Sequence, residues 1–235
     1  MKKIIILIGN YGSGKTEIAL NMAVAAAAEG KRTQVIDLDK INDYFRMSDH
    51  VKLLEEKKID IVSPTFAGKG VTQSSMSAAV ASAFAQDWDL VVFDVGGDAA
   101  GALSLARYHQ DFAALSEGQV EVYDIVNVFR PMSESPEKIL KLKSEMEGFA
   151  RQKVTGFINN SNLLNYASAD DLRRGYDVLR ETSLISGIPV VHTTGRREFL
   201  EEFLAEGRDP AFIGVPIALD TYMHRSWDTF AYGGI

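Results

Sequence analysis

The segment GNYGSGKT at residues 9–16 constrains the fold of this chain more than any other feature, because it satisfies the pattern GxxxxGK[ST]. It follows an apolar run, KIIILI, and precedes an alanine-rich stretch of helical character. In such a strand–loop–helix unit the backbone N–H groups of the loop wrap a phosphate, and the helix amino terminus adds a positive dipole. The motif therefore predicts a nucleotide phosphate site in contact with Gly9, Asn10, Tyr11, Gly12, Ser13, Gly14, Lys15, Thr16 and Glu17.

Apolar, β-branched runs recur after this first one, at 33–38, 59–63, 89–95, 120–129, 154–160 and 188–193. Most are nearly continuous in hydrophobicity, which is typical of strands covered on both faces. Helical patterns fit between them, at 14–29, 72–86, 98–112, 136–151, 169–186 and 196–206. This alternation predicts an α/β fold with a doubly wound, mostly parallel sheet of seven to eight strands, in one nucleotide-binding domain over residues 1–235.

Composition narrows the classes of partner and chemistry. The 235 residues are 46% hydrophobic and carry a net charge of -7, so we expect neither nucleic acid nor membrane as a main partner. The absence of cysteine excludes disulfides, a thiolate nucleophile and thiolate-bound metals. The run IIILI at 4–8 is too short to cross a bilayer, and we expect a cytoplasmic protein.

Acidic residues end two of the predicted strands, and sheets of this kind bind ligands at the carboxyl ends of their strands. Asp37 and Asp39 follow the second run, and Asp94 ends the fourth. Carboxylates hold Mg²⁺ directly or through water, so we expect the metal at Thr16, Asp37 and Asp94. We expect Asp39 to orient a nucleophilic water or to activate a substrate hydroxyl. Ordinary solvated acids at strand ends are the alternative.

The segments GNYGSGKTEIALNMA, VIDLD, VVFDVGGD and the late FINN together resemble the MinD/ParA/CobQ-type P-loop ATPases. The resemblance implies that Lys15 and Thr16 hold the phosphates and Mg²⁺ of bound ATP. It also implies that Asp39 is the water-activating aspartate of the first switch, and that Lys15 and Asp39 are the catalytic residues. Asp94 and Gly97 match the second switch, in which the Gly97 amide senses the γ-phosphate.

One departure from that family lies inside the loop. Its best-known members read GKGGxGKT, and their extra lysine reaches the partner's nucleotide across an ATP-sandwiched dimer. This chain has Asn10 at that position and Tyr11 in place of the next glycine. The sequence leaves the question of a homodimer open, but activation of such a dimer by a signature lysine is not expected. We expect Asn10 to donate a neutral hydrogen bond to a phosphate, and Tyr11 either to stack on a partner or to pack the loop.

The late strand ends carry the expected base contacts. Guanine-specific relatives of the fold have an NKxD box where this chain reads NNSN at 159–162, which favours ATP over GTP. In the resembling family an asparagine at this place contacts adenine, so Asn159 or Asn160 is the candidate, and an asparagine turn without ligand contact is the alternative. Backbone groups of Thr194 and Gly195, after the next strand, are expected to close over the base.

Three further features stay open on the sequence alone. Arg130 follows the fifth run on the predicted ligand side, where it either binds a phosphate or an acidic partner or is a surface arginine before a turn. Asp98 is a good helix N-cap. The C-terminal segment around Trp227 and Phe230 is expected to pack on the domain or on a second subunit.

Three functions fit these features. We favour a slow Mg²⁺-dependent ATPase that acts as a nucleotide-dependent switch for a protein partner. The alternative is a small-molecule phosphotransferase or ATP-dependent ligase of the dethiobiotin-synthetase type, with an acceptor site in 40–75 that includes Tyr44, Arg46 and Lys69. The third is a nucleotide-binding interaction module with negligible turnover.

Overall fold

The computed structural model describes residues 2–39, 50–63 and 73–223. Within these ranges eight strands form one parallel sheet: β1 Lys3–Gly9, β2 Thr33–Asp37, β3 Asp60–Val62, β4 Leu90–Asp94, β5 Val120–Val126, β6 Gly156–Asn159, β7 Val190–Gly195 and β8 Val215–Ala218. Their order across the sheet is β3-β2-β4-β1-β5-β6-β7-β8. The predicted parallel architecture is confirmed, and every strand pair in this sheet is parallel.

The helices are α1 Lys15–Ala28, α2 Val51–Glu56, α3 Gln73–Ala85, α4 Ala99–Ala106, α5 His109–Ala113, α6 Pro136–Ala150, α7 Ala169–Ser186 and α8 Arg197–Leu204. They cover both faces because alternate residues of β1 enter different cores. Ile4, Ile6 and Ile8 pack with α3 to α7, whereas Ile5 and Leu7 pack with α1 and α2. Start signals agree with the sequence: α6 begins at a proline, and Ser168 and Asp171 form a capping box on α7.

Local differences from the expected elements have physical reasons. The edge strand β8, VPIA, was not among the predicted runs, since its residues are exposed or half-buried and include a proline. The helix expected at 98–112 divides into α4 and α5, and the Tyr108 ring at the break lies 6.3 Å from that of Phe84 in the core. The short α2 was not among the predicted helices.

The strand order creates the crevice in which the site forms. The strands β4 and β5 flank β1 on opposite sides, so the direction of winding reverses at β1. Ligands of open α/β sheets bind outside the carboxyl ends of the strands at such a switch point. The phosphate loop leaves β1 at this place, between the loops that follow β4 and β5.

Some sequence predictions fall outside the described residues. The acceptor residues Tyr44, Arg46 and Lys69 do so, and so do Trp227 and Phe230 of the C-terminal segment. In the ranges 2–39, 50–63 and 73–223, no helix has both the length and the apolar character needed to cross a bilayer.

Candidate nucleotide-binding site

The phosphate loop has the backbone that its glycines were expected to provide. Gly9, Gly12 and Gly14 have φ values of 135°, 69° and 95°, a region that residues with a Cβ rarely adopt. A Cβ at Gly9 would lie 2.5 Å from the Ile125 carbonyl oxygen, and one at Gly14 would lie 2.3 Å from Asn160 Nδ2. No side chain caps the start of α1, so its first N–H groups can serve an anion.

Lys15 lies folded into this loop. Its Nζ donates to the carbonyl oxygens of Gly9 at 3.1 Å and of Asn10 at 2.7 Å, and the side chain is buried. Burial lowers the pKa of Lys15, while the carboxylates of Asp94 and Asp39 act in the opposite direction. The loop therefore holds a desolvated ammonium group beside the place where a phosphate would lie.

Asp94 is buried at the end of β4, next to the start of α1. It hydrogen-bonds the Thr16 side chain, and its Oδ1 has no partner among the described residues. Burial raises the pKa of Asp94 to about 6, and the Thr16 hydrogen bond and the Lys15 charge act in the opposite direction. An unpartnered buried carboxylate oxygen beside a threonine hydroxyl suits a hard cation or its water.

Asp37 is the register partner of Asp94 across β2 and β4. It accepts the Asp39 N–H at 2.9 Å and the Ser63 hydroxyl at 3.1 Å. Burial, together with the Asp94 charge, raises the pKa of Asp37 to about 7. Asp37 therefore places a second titratable carboxyl group beside Asp94, and it fixes the backbone that presents Asp39 to the cavity.

The segment after β4 lies directly against the phosphate loop. A Cβ on Gly97 would lie 2.6 Å from the Tyr11 backbone nitrogen, and one on Gly96 would lie 3.4 Å from Asp39 Oδ1. Asp98 accepts the Gly101 N–H at 2.7 Å and so caps α4, as its sequence context indicates. The segments after β2 and β4 thus meet the phosphate loop at one point.

A cavity of about 480 Å³ extends from the phosphate loop. Residues 11–17 and Asp39 line one part of it. Apolar side chains line another: Leu164, Leu172, Phe199, Leu219 and Met223. A polar, anion-binding part continuous with an apolar part is the arrangement that a nucleotide requires.

The two candidate asparagines have different surroundings. Asn160 lines the cavity, donates to the Ser13 carbonyl at 2.7 Å and accepts the Thr194 hydroxyl at 2.8 Å. Asn159 is not among the lining residues, and its amide donates to the Leu172 carbonyl at 3.1 Å. Thr194 and Gly195, which were expected to contact the base, lie at the end of β7. Gly195 lines the cavity, whereas Thr194 is not among the lining residues and donates its hydroxyl to Asn160.

Comparison with known proteins agrees with this geometry. The model of the CobQ/CobB/MinD/ParA nucleotide binding domain matches residues 4–58, which contain the loop and both acids after β2. Over these residues the chain is similar to a CobQ/CobB/MinD/ParA nucleotide-binding domain. No curated protein sequence is similar enough to match the chain.

Solved structures similar over most of the chain include signal recognition particle receptors FtsY. The protein from Elizabethkingia anophelis is 19% identical with a TM-score of 0.53, covering 82% of this chain and 58% of its own. FtsY from Thermotoga maritima is 20% identical at 0.53, covering 83% and 62%. Chloroplast FtsY from Physcomitrella patens is 19% identical at 0.55, covering 82% and 58%. This chain therefore has the P-loop NTPase fold and spans about three fifths of the length of those FtsY chains.

Asn10 occupies the position at which this loop differs from the best-known members of the family. Its side chain contacts other residues of this chain. Its amide donates to the carbonyl of Pro131 and, at 3.3 Å, to the Ser133 hydroxyl. In the described structure the Asn10 side chain thus ties the loop to the segment after β5. The Tyr11 side chain is 59% exposed, so it does not pack the loop from within.

Residues 219–223 form a second wall of the cavity, a role that sequence reasoning did not assign to them. Glu17 accepts the N–H groups of Tyr222 at 2.6 Å and Met223 at 2.9 Å. The Asn21 side-chain amide donates to the Asp220 carbonyl at 2.9 Å and accepts the Asp220 N–H at 2.8 Å. These partners lie about two hundred positions apart in the chain, so no local pattern could have paired them.

Proposed function

We propose that this chain is a Mg²⁺-dependent ATP-binding protein and a slow ATPase that acts in the cytoplasm as a nucleotide-dependent switch for a protein partner. Residues 1–235 would form one nucleotide-binding domain. The observation that carries the proposal is the position of Lys15, Thr16 and Asp39 on a cavity that also has an apolar wall. The P-loop NTPase fold and the matched family model support it.

The residues present fit a magnesium ion. Thr16 and the unpartnered Oδ1 of Asp94 would hold it, directly or through water, with Asp37 adding negative charge beside them. The described residues contain no cluster of three or more His, Cys, Asp or Glu suited to a metal, which is consistent with an ion held mainly by water and phosphate oxygens. When bound, the ion would neutralise charge on the β- and γ-phosphates.

Hydrolysis would use the chain's own groups as follows. Asp39, on the cavity wall, orients a water whose oxygen bonds to the γ-phosphorus, and the bond from phosphorus to the β–γ bridging oxygen breaks. The electron pair of that bond leaves on ADP, and the proton of the water passes through Asp39 to solvent. Lys15 and the loop N–H groups stabilise the charge that develops on the phosphates.

The contact between Gly97 and Tyr11 supports a switch. A Cβ on Gly97 would clash with the Tyr11 backbone, so Gly97 and the phosphate loop are in close contact. A γ-phosphate bound beside the loop would change this contact between Gly97 and Tyr11. Gly97 immediately precedes α4, which presents Leu103 with 58% of its surface exposed. A partner that binds α4 would therefore detect whether the γ-phosphate is present.

For the base, we propose adenine. The chain lacks the NKxD box, and the cavity's Asp220 carboxylate already accepts a hydrogen bond from the Tyr222 hydroxyl. A free carboxylate in this position would favour guanine instead, as a hydrogen-bond acceptor. One similar structure, FtsY from Elizabethkingia anophelis, was solved in complex with GDP, so guanine nucleotides are the comparison that matters most.

The test is phosphate release from ATP and from GTP, with Mg²⁺ and with excess chelator. Slow release from ATP that needs Mg²⁺ and is lost in Lys15→Ala is expected. Equal turnover of GTP would refute the adenine assignment alone. If phosphate release from ATP stayed negligible even with a partner present, the chain would be a nucleotide-binding interaction module and not an ATPase.

A further inference from the structure

A second cationic side chain stands at the phosphate loop. Arg130 donates from Nε to the Gly12 carbonyl at 2.9 Å and lines the cavity together with Lys15. A Cβ on Gly12 would lie 3.4 Å from the guanidinium carbon of Arg130 and 3.7 Å from one of its terminal nitrogens. The guanidinium group therefore lies on the loop that would bind the phosphates.

The segment that carries Arg130 is held in place at both ends. Asn127 donates to the Asn162 carbonyl at 3.0 Å and accepts the Arg130 N–H through its own carbonyl, also at 3.0 Å. Beyond Arg130, the Asn10 amide holds Pro131 and Ser133 against the loop. The segment that carries Arg130 is thus held by hydrogen bonds to the segments that follow β1 and β6, the strands on either side of β5.

Within the described part of the chain, the terminal nitrogens of Arg130 make no hydrogen bond and no ion pair, although the chain carries seven more acidic than basic residues, 32 against 25. Its Nε donates to the Gly12 carbonyl, which fixes the direction of the side chain. A planar guanidinium with two free donor groups is suited to phosphate oxygens.

We infer that Arg130 binds the terminal phosphate of the nucleotide from within the same chain and stabilises it during cleavage. This inference rests on the proposed ATPase function. The charge that develops when the γ-phosphorus separates from the bridging oxygen lies beside the loop, where Lys15 supplies one cation and Arg130 a second. A diphosphate lacks the group that Arg130 would contact, so the residue discriminates between substrate and product.

Two variants separate charge from local structure. Arg130→Gln keeps a donor for the Gly12 carbonyl and removes the charge, whereas Arg130→Lys keeps the charge and loses the planar fork. The matched control is Arg197→Ala, which removes an exposed arginine at the start of α8 that is not among the cavity-lining residues. Thermal melting of each variant checks that it is folded.

The measurements are affinities for ADP and for the ATP analogue with an imido β–γ bridge, both with Mg²⁺, and single-turnover hydrolysis of ATP. Arg130→Gln should weaken analogue binding about tenfold while ADP binding and the Arg197→Ala control stay within about twofold of wild type. Hydrolysis should slow about 100-fold, with partial recovery in Arg130→Lys and on addition of dilute guanidinium chloride.

Equal weakening of ADP and analogue, or hydrolysis at the wild-type rate in Arg130→Gln, would overturn the inference and leave Arg130 as a support for the loop. A wild-type protein that binds ADP and the analogue but does not hydrolyse ATP would instead overturn the proposed ATPase. In that case the ratio of analogue to ADP affinity still decides whether Arg130 contacts the terminal phosphate.

Discussion

Asp37 and Asp94 are neighbours in register across β2 and β4, and both carboxyl groups are buried. Two acids in such proximity stay ionised together only at a cost, and burial raises the pKa of Asp37 to about 7 and that of Asp94 to about 6. A cation at Thr16 and Asp94 would remove that cost. The pair therefore connects the stability of the fold to occupancy of the site.

The first prediction concerns pH. Because Asp37 and Asp94 hold protons in the folded chain above the ordinary value of 3.8, the nucleotide-free protein should lose stability as pH rises from about 4 to about 7. Asp94→Asn should reduce this slope and, above pH 7, raise the free energy of unfolding by on the order of 2 kcal/mol without Mg²⁺. Denaturant unfolding across pH measures both effects.

The control for that prediction is Asp177→Asn, an exposed acid on α7 that should change the free energy of unfolding by less than about 0.5 kcal/mol. Asp124, whose pKa burial also raises to about 7, contributes a similar slope in every variant. If the free energy of unfolding of wild type and of Asp94→Asn changed with pH by the same amount, the raised pKa would not belong to Asp94.

The second prediction concerns the switch. Gly97→Ala places a Cβ against backbone atoms of Tyr11 at 2.6 and 2.8 Å, so the segment after β4 must move. Hydrolysis should fall at least about tenfold while ADP binding persists, because the altered contact lies beside the terminal phosphate. The matched control is Gly148→Ala in α6, where nothing lies within 4 Å of the new methyl group. Single-turnover rates that match in the two variants would argue against a switch at Gly97.

The third prediction separates Asn159 from Asn160. Asn160→Ala removes contacts to Ser13 and Thr194, so it should cost about 1–2 kcal/mol of stability and weaken nucleotide binding about tenfold. Asn159→Ala removes the contact to Leu172, away from the cavity lining. It should destabilise the fold similarly and leave nucleotide affinity within about twofold. Calorimetry gives both quantities, and the reverse pattern would assign the ligand contact to Asn159.

The fourth prediction concerns the wall formed by residues 219–223. Asn21→Ala removes both hydrogen bonds to Asp220 from a position outside the cavity lining, so this wall should become easier to open. We expect faster proteolytic cleavage at 219–223 and nucleotide affinity lower by about fivefold, with Glu29→Gln at the other end of α1 as the control. Unchanged cleavage together with unchanged affinity would show that Asn21 does not hold the wall.

The sequence predicted most accurately what depends on local chemistry. The loop at residues 9–16 was predicted because its glycines allow a backbone that few other sequences tolerate. The helical pattern predicted at 169–186 matches the bounds of α7, which Ser168 and Gly187 cap in the structure. The strand β8 was missed because an exposed edge strand lacks the apolar run by which the others were recognised.

Contacts between residues far apart in the chain could not be predicted from the sequence. The pairing of Glu17 with Tyr222, or of Asn10 with Ser133, is set by how separate strands come together, and no spacing rule encodes it. Arg130 was placed on the ligand side from its strand end alone, but its hydrogen bond to Gly12 required the structure. Site residues within one loop or at one strand end were therefore predictable. Contacts between residues that lie far apart in the chain were not.

The most direct test of the proposed ATPase is Asp39→Ala, assayed for ATP binding and phosphate release in the same sample with Mg²⁺. Asp39 lines the cavity without belonging to the phosphate loop, so the variant should keep ATP affinity within about threefold and lose at least about 100-fold in release. Phosphate release at the wild-type rate from the variant would contradict this account.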